Sequence, residues 1–234
     1  MNNAIILCSG GLDSIVLAHY LKKIEKIENL KLIFLDYGQK SLKEELSCVK
    51  KASEELESEL KIINLRWLGE ISTSLINKQT NEKEIKNIKN ENELISWYVP
   101  CRNALFLLIG LAIAESEFIS KNEKYDVYLG IKHEGELQFK DTTPEFLKQM
   151  NKTIEFCTQD WNYKFIAPFL KKDKEEVIEI AKKLNINLQD TYSCYIGKGF
   201  KNNLPVHCGI CGGCKSRKKA FKFSNITDPS VYEN

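Results

Sequence analysis

The sequence predicts an α/β fold: a parallel sheet with flanking helices, followed by a small C-terminal cysteine-rich segment. Three observations predict it. Short apolar runs alternate with stretches of helical spacing, the pattern of βαβ units. The first apolar run ends directly in Ser9-Gly10-Gly11, a strand-to-helix turn signal. Four of the eight cysteines fall between Cys194 and Cys214.

The elements follow in order. Ala4 to Cys8 is a buried strand, and Ser14 to Lys23 has helical apolar spacing. Lys31 to Asp36 is a second strand, followed by a helix with Leu42, Leu46, Val49, Ala52 and Leu56 at three- and four-residue steps. Lys61 to Leu65 is a third strand. Asn77 to Glu93 is rich in Lys, Glu and Asn, and its mixed signs read as a solvated excursion rather than a nucleic-acid arm. Asn103 to Ser116 is an apolar helix against the sheet, and Tyr125 to Ile131 is the next strand. Pro144 to Cys157 and Asp173 to Leu184 are helices, with Asp173 a candidate N-cap. The tail from Asp228-Pro229 reads as frayed. The expected division is an α/β domain over 1–190, a metal-binding segment over 191–223 and a tail over 224–234.

Composition excludes several classes. The chain has 234 residues with 43% hydrophobic and 28% charged, an ordinary globular balance. Lysine plus arginine exceed aspartate plus glutamate by 34 − 32 = +2, too little to nominate nucleic acid as a partner. The longest apolar runs, such as Ala104 to Ala114, are short of a membrane span. The N-terminus lacks the basic and cleavage features of an export signal. The expectation is a cytoplasmic protein, where clustered cysteines serve as metal ligands or catalytic thiols rather than disulfides.

Ser9-Gly10-Gly11-Leu12-Asp13-Ser14 is the first motif with chemistry in it. Two glycines let the backbone turn sharply and approach an anion. The helix start that follows offers unpaired N–H groups and a positive dipole end. Ser9 and Ser14 add hydroxyls, and Asp13 beside a phosphate implies Mg²⁺ or a helix cap. The lysine of the Walker loop is missing, and so is the G-x-G-x-x-G pattern.

The second motif is Cys194, then Cys208-x-x-Cys211-x-x-Cys214. Four thiolates complete a tetrahedral Zn²⁺ shell with no open position, the structural type of site. An iron–sulfur cluster is the rival reading of this spacing, and a redox C-x-x-C uses too few of the thiols. Zinc is preferred because the segment has little core of its own and needs pinning. His207 adjoins the set and is expected to be a bystander.

The string SGGLDS resembles the pyrophosphatase loop of the N-type ATP pyrophosphatases. That resemblance implies a Rossmann-like fold of the adenine nucleotide alpha hydrolase type. It implies ATP as substrate, with Ser9, Gly10, Gly11, Leu12, Asp13 and Ser14 at the pyrophosphate and Asp13 near Mg²⁺. Asp36 and Gln39 of Asp36-Tyr37-Gly38-Gln39 are then expected at the nucleotide. Loop and four-cysteine set in this order resemble the QueC family over nearly the whole chain. The supporting stretches include DYGQ, Val99-Pro100-Cys101-Arg102-Asn103, Leu129-Gly130, Pro144-Glu145-Phe146, Ser193-Cys194-Tyr195 and the Cys214-x-x-Arg217 step.

The family converts 7-carboxy-7-deazaguanine and ammonia to the nitrile 7-cyano-7-deazaguanine with ATP, and carries one structural zinc. The resemblance implies the same ligase chemistry here, with a homodimer left open. Asp13, Arg102 and Lys174 are the expected catalytic groups, the last two neutralising phosphoryl charge. Tyr37, Arg102, Asn103, Glu134 and Asp141 are expected at the substrate, acidic groups suiting the amine and ring N–H of a guanine-like base. The chain departs from the family at Cys101, where glycine is usual, and in 132–143 (KHEGELQFKDTT). His133 is new there and reads as incidental. These departures keep a second acceptor open: a protein amine, as in QueC-like antiphage enzymes. A non-catalytic nucleotide sensor is the third reading. Sulfur transfer to tRNA fits poorly at net +2.

Overall fold

A computed structural model of the chain describes residues 3–79, 82–88, 95–132, 139–159 and 162–233. In order these form β1 (Asn3–Leu7), α1 (Leu12–Lys23), β2 (Asn29–Asp36), α2 (Leu42–Glu55), β3 (Glu59–Asn64), α3 (Arg66–Ile71), α4 (Glu82–Lys86) and α5 (Arg102–Lys121). Then come β4 (Asp126–Leu129), α6 (Pro144–Cys157), β5 (Phe165–Ile166), α7 (Lys174–Lys183), β6 (Phe200–Lys201), β7 (Leu204–His207), α8 (Gly212–Phe223) and β8 (Val231–Tyr232). The main sheet runs β3-β2-β1-β4-β5, and every pairing in it is parallel. Strand order therefore reverses between β1 and β4, a topological switch point where open α/β sheets bind ligands.

Alternation along β1 and β2 explains why both strands read as unbroken apolar runs. Ile5, Leu7, Ile33 and Leu35 enter the core on one face of the sheet, whereas Ala4, Ile6, Cys8, Leu32 and Phe34 enter the core on the other. A strand covered on both faces has no polar side to show. β3 sits at an edge and is largely exposed, with Glu59 and Lys61 in it, charges that discourage edge pairing.

Helix α5 covers the first face. The stretch 95–121 is apolar and long enough to cross a membrane by length and composition, longer than its unbroken apolar runs suggest. One side is taken up by the sheet: Leu107, Gly110, Leu111 and Ala114 are buried. Gly110 matters there, because a Cβ would lie 2.7 Å from Val127 Cγ1. On α7, Glu176 accepts the backbone N–H of Asp173 at 2.7 Å, so the expected N-cap position at Asp173 holds.

Two expectations need correction. The polar excursion is not wholly solvated: α4 lies within it, and Ile85 is buried in the sheet-side core. Two isoleucines, Ile85 and Ile88, among charged and polar residues give too short a pattern to read as a period. The tail is not frayed, since Val231–Tyr232 pairs with β7 and Asp228 accepts from Arg217. The cysteine segment also shares one hydrophobic cluster with the sheet.

Candidate active site and metal centre

The Ser9–Ser14 bend lies at the C-terminal end of β1, beside the switch point. Gly10 takes φ +77°, and a Cβ there would collide with the Glu45 carbonyl, so backbone approach and left-handed φ both require glycine. The hydroxyls converge: Ser9 and Ser14 Oγ atoms are 3.2 Å apart, Ser14 donates to the Gly11 carbonyl at 3.1 Å, and the Ser9 N–H donates to Ser14 at 3.2 Å. Helix α1 starts at Leu12, and its first-turn N–H groups have no helical partners. Asp13 sits 3.5 Å from the ammonium of Lys132, whose side chain is almost fully buried. Lys132 leaves the end of β4, so both strands of the switch point contribute charge to this spot.

A cavity beside the bend is lined by Leu7, Ser9, Ile33, Leu35, Tyr37, Gln39 and Phe106, among others. Tyr37 and Phe106 rings lie 5.4 Å apart, and the Arg102 guanidinium stands 5.7 Å from the Tyr37 ring with Nη1 3.4 Å from its hydroxyl. Burial pushes the Tyr37 hydroxyl up to about 12, with Arg102 opposing. Asn103 donates to the Asp141 carbonyl at 3.1 Å. Burial also raises the Asp141 carboxyl, again against the pull of Arg102. Tyr37, Arg102, Asn103 and Asp141 thus form one group at the N-terminus of α5, and Tyr37 and Ser9 share the cavity.

Other expected site residues are engaged in structure. Asp36 accepts from Arg66 at 2.8 Å and from the Gly38 N–H at 3.2 Å. Gln39 accepts the Tyr37 N–H at 2.9 Å and donates to the Leu35 carbonyl and Glu45 at 3.1 and 3.0 Å. These bonds shape the turn that presents Tyr37. Lys174 donates to Ser216 at 2.9 Å, joining α7 to α8. Glu134 and His133 lie outside the described residues. Cys101 adopts φ +57° just before α5, a left-handed conformation that favours the glycine usual in the family.

The four sulfurs of Cys194, Cys208, Cys211 and Cys214 all lie within 4.8 Å of one another and are buried. Cys194–Cys211 and Cys208–Cys214 are each 3.9 Å apart, against about 3.8 Å for tetrahedral ligands at about 2.3 Å from zinc. Backbone N–H groups of Tyr195, Ile196, Cys208 and Cys211 point at these sulfurs at 3.4 Å, as thiolates require. The set fits a single ion. A four-iron cube seats each thiolate on a different iron and needs the sulfurs spread farther. His207 is occupied otherwise: its Nε2 accepts the Ser193 N–H at 3.2 Å, and burial holds its pKa down to about 4.

Three functional candidates escaped the sequence reading. Lys132 and Lys40 are each one lysine among 34 basic residues. Lys40 Nζ is buried without a hydrogen-bond partner among the described residues, within electrostatic reach of Cys194, Cys208 and Cys211. Glu45 lies under the bend, where burial raises its carboxyl to about 7 against hydrogen bonds from Ser41 and Gln39. The available signal was position: Lys40 and Lys132 each follow closely on a buried strand.

The family model described as "Queuosine biosynthesis protein QueC" matches residues 3–225. A 7-cyano-7-deazaguanine synthase of Methanococcus maripaludis is 33% identical over 98% of both chains, and one from Methanosphaera stadtmanae is likewise 33% identical over 98% of both. Among solved structures, the NMN synthetase of Francisella tularensis is similar with TM-score 0.48 and 12% identity, covering 97% of this chain and 78% of that one. The chain belongs to the QueC family.

Proposed function

We propose that the chain is an ATP-dependent ligase that turns the carboxylate of 7-carboxy-7-deazaguanine into the nitrile of 7-cyano-7-deazaguanine with ammonia. The observation that carries this reading is the Ser9–Ser14 bend at the switch point, with converging hydroxyls, open helix N–H groups and Asp13 against Lys132. A carboxylate is a poor electrophile because oxide is a poor leaving group. Attack of its oxygen on the α-phosphorus of ATP expels pyrophosphate, and that oxygen can then leave as part of AMP. Ammonia displaces AMP to give the amide. A second ATP activates the amide oxygen, and loss of AMP and a proton leaves the nitrile.

The bend's N–H groups and Ser9 and Ser14 would hold the departing phosphates, and Mg²⁺ held at Asp13 would supply charge neutralisation. Arg102, beside Tyr37 at the cavity, would neutralise developing phosphoryl charge, and Lys174 is retained as the second candidate for that role. The rings of Tyr37 and Phe106 would stack against a flat heteroaromatic ring, and Asp141 with Asn103 would meet its polar edge. Glu134 is retained as a base reader beside them. The four cysteines would hold one Zn²⁺ as a structural ion, a setting that suits the reducing cytoplasm.

Incubation with Mg-ATP, 7-carboxy-7-deazaguanine and ammonium tests the reading. It predicts pyrophosphate release and a product at the nitrile's mass. Adenylate without nitrile, with a mass shift on a partner protein, would mean a protein amine is the acceptor. Nucleotide binding with no pyrophosphate would leave only a sensor. Asp13→Ala should slow pyrophosphate release by about a hundredfold or more with the melting temperature unchanged.

A further inference from the structure

The two motifs touch through a segment that neither of them includes. The backbone N–H of Tyr192 donates to the carbonyl of Gly10 at 2.8 Å. Gly10 is the residue whose left-handed φ turns the bend, so this bond fixes the bend from outside. Tyr192 is buried and stands two residues before Cys194. Its hydroxyl donates to the Val206 carbonyl at 2.8 Å, two residues before Cys208. On the next residue, the Ser193 N–H donates to His207, and a Cβ on Gly213 would collide with the Ser193 carbonyl. Helix α8 therefore presses directly on this segment.

Arg217 binds the same segment from α8, three residues after Cys214. It is fully buried, an expensive place for a permanently charged group unless its donors are matched. Four of its five N–H groups are: Nη1 donates to Thr191 at 2.8 Å and Ser193 at 3.3 Å, Nη2 to the Leu188 carbonyl at 2.9 Å, and Nε to Asp228 at 3.2 Å. Three of the four bonds go to chain on either side of Tyr192.

We propose that Arg217 and residues 188–195 form a strut through which the four-cysteine centre holds the phosphate bend, so that metal occupancy and Mg-ATP binding strengthen each other. The inference rests on the reading of the bend as an ATP site. Arg217 is a positioning residue in it. With an ion bound, Cys194 is anchored at one end of the strut and Cys208 and Cys214 at the other. Ordering done by the metal is ordering the nucleotide need not do, and such coupling is reciprocal between the two sites.

The test is the rate at which 4-(2-pyridylazo)resorcinol strips metal from the wild-type holoprotein, with and without saturating Mg-ATP. The expected result is release about tenfold slower with Mg-ATP. Arg217→Lys keeps the charge facing Asp228, but one amine cannot serve Leu188, Thr191 and Ser193 together. It should retain its metal, bind Mg-ATP about tenfold more weakly, keep turnover at saturating ATP, and lose the nucleotide's effect on release. Asp228→Asn leaves the bonds to 188–193 in place and should keep wild-type ATP affinity, which separates the strut from simple anchoring of the tail. Equal release rates in wild type that demonstrably binds Mg-ATP would overturn the coupling, whether or not Arg217→Lys folds. Metal-loaded wild type that binds no Mg-ATP would instead overturn the ATP reading and the coupling with it.

Discussion

The Ser9–Ser14 bend and the cysteine centre are both short turns that open a helix, α1 after Gly11 and α8 after Cys211, yet they are made of different material. The bend is built from backbone. Its shape depends on the φ of Gly10 and on neighbours brought from afar, the Glu45 carbonyl and the Tyr192 N–H. The cysteine centre is built from side chains that close on one another, with N–H groups of its own turns aimed at the sulfurs. A backbone site fails when an atom is added, and a side-chain site fails when one is removed.

That contrast ranks the consequences of substitution. The largest effect belongs to Cys208→Ser. Metal binding by such sites is worth on the order of 10 kcal/mol, so the variant should lose its ion and much of its thermal stability; elemental analysis and a melting curve read both. A Cys208→Ser protein still holding one ion per chain breaks the contrast on the side-chain side. Gly10→Ala comes next. The left-handed conformation alone costs an alanine about 1–2 kcal/mol, and contact with the Glu45 carbonyl displaces the bend. Calorimetry should find Mg-ATP affinity lost while metal content stays the same. A Gly10→Ala protein that keeps wild-type Mg-ATP affinity breaks the contrast on the backbone side.

Smaller effects sharpen the backbone side. Glu45 has its carboxyl raised to about 7 by burial, above its value in the unfolded chain. Protonated Glu45 favours the native state, so its contribution is complete below the unfolded value and disappears as pH rises through about 7. Glu45→Gln should flatten the decline in melting temperature between mildly acidic and neutral pH, and an unchanged slope removes Glu45 from the account. The smallest effect is Cys101→Gly. It relieves a left-handed cysteine at φ +57° but frees the unfolded chain, a net gain of about 0.5–1 kcal/mol measurable by denaturant titration.

The same contrast explains what the sequence disclosed. Strands β1 and β2 were legible because burial on both faces leaves uninterrupted apolar runs. The two motifs were legible because backbone turns need glycine and metal shells need spaced cysteines. Strand β5 has only two residues, too short for any period. β8 exists because β7 offers it an edge and Arg217 holds Asp228, contacts between distant parts of the chain. Lys132 and Lys40 acquire meaning from what folds against them. The departure at Cys101 is a matter of backbone angle: the cysteine sits at φ +57°, where glycine carries no steric cost. The family resemblance implies Asp36 and Gln39 at the nucleotide, and their visible bonds shape the turn that carries Tyr37.

The most direct test of the central claim is an experimental structure with Mg-ATP at saturation. The β- and γ-phosphates should lie within hydrogen-bond distance of the backbone between Ser9 and Ser14, with the magnesium ion against Asp13. A triphosphate seated elsewhere, with the bend vacant, would contradict it.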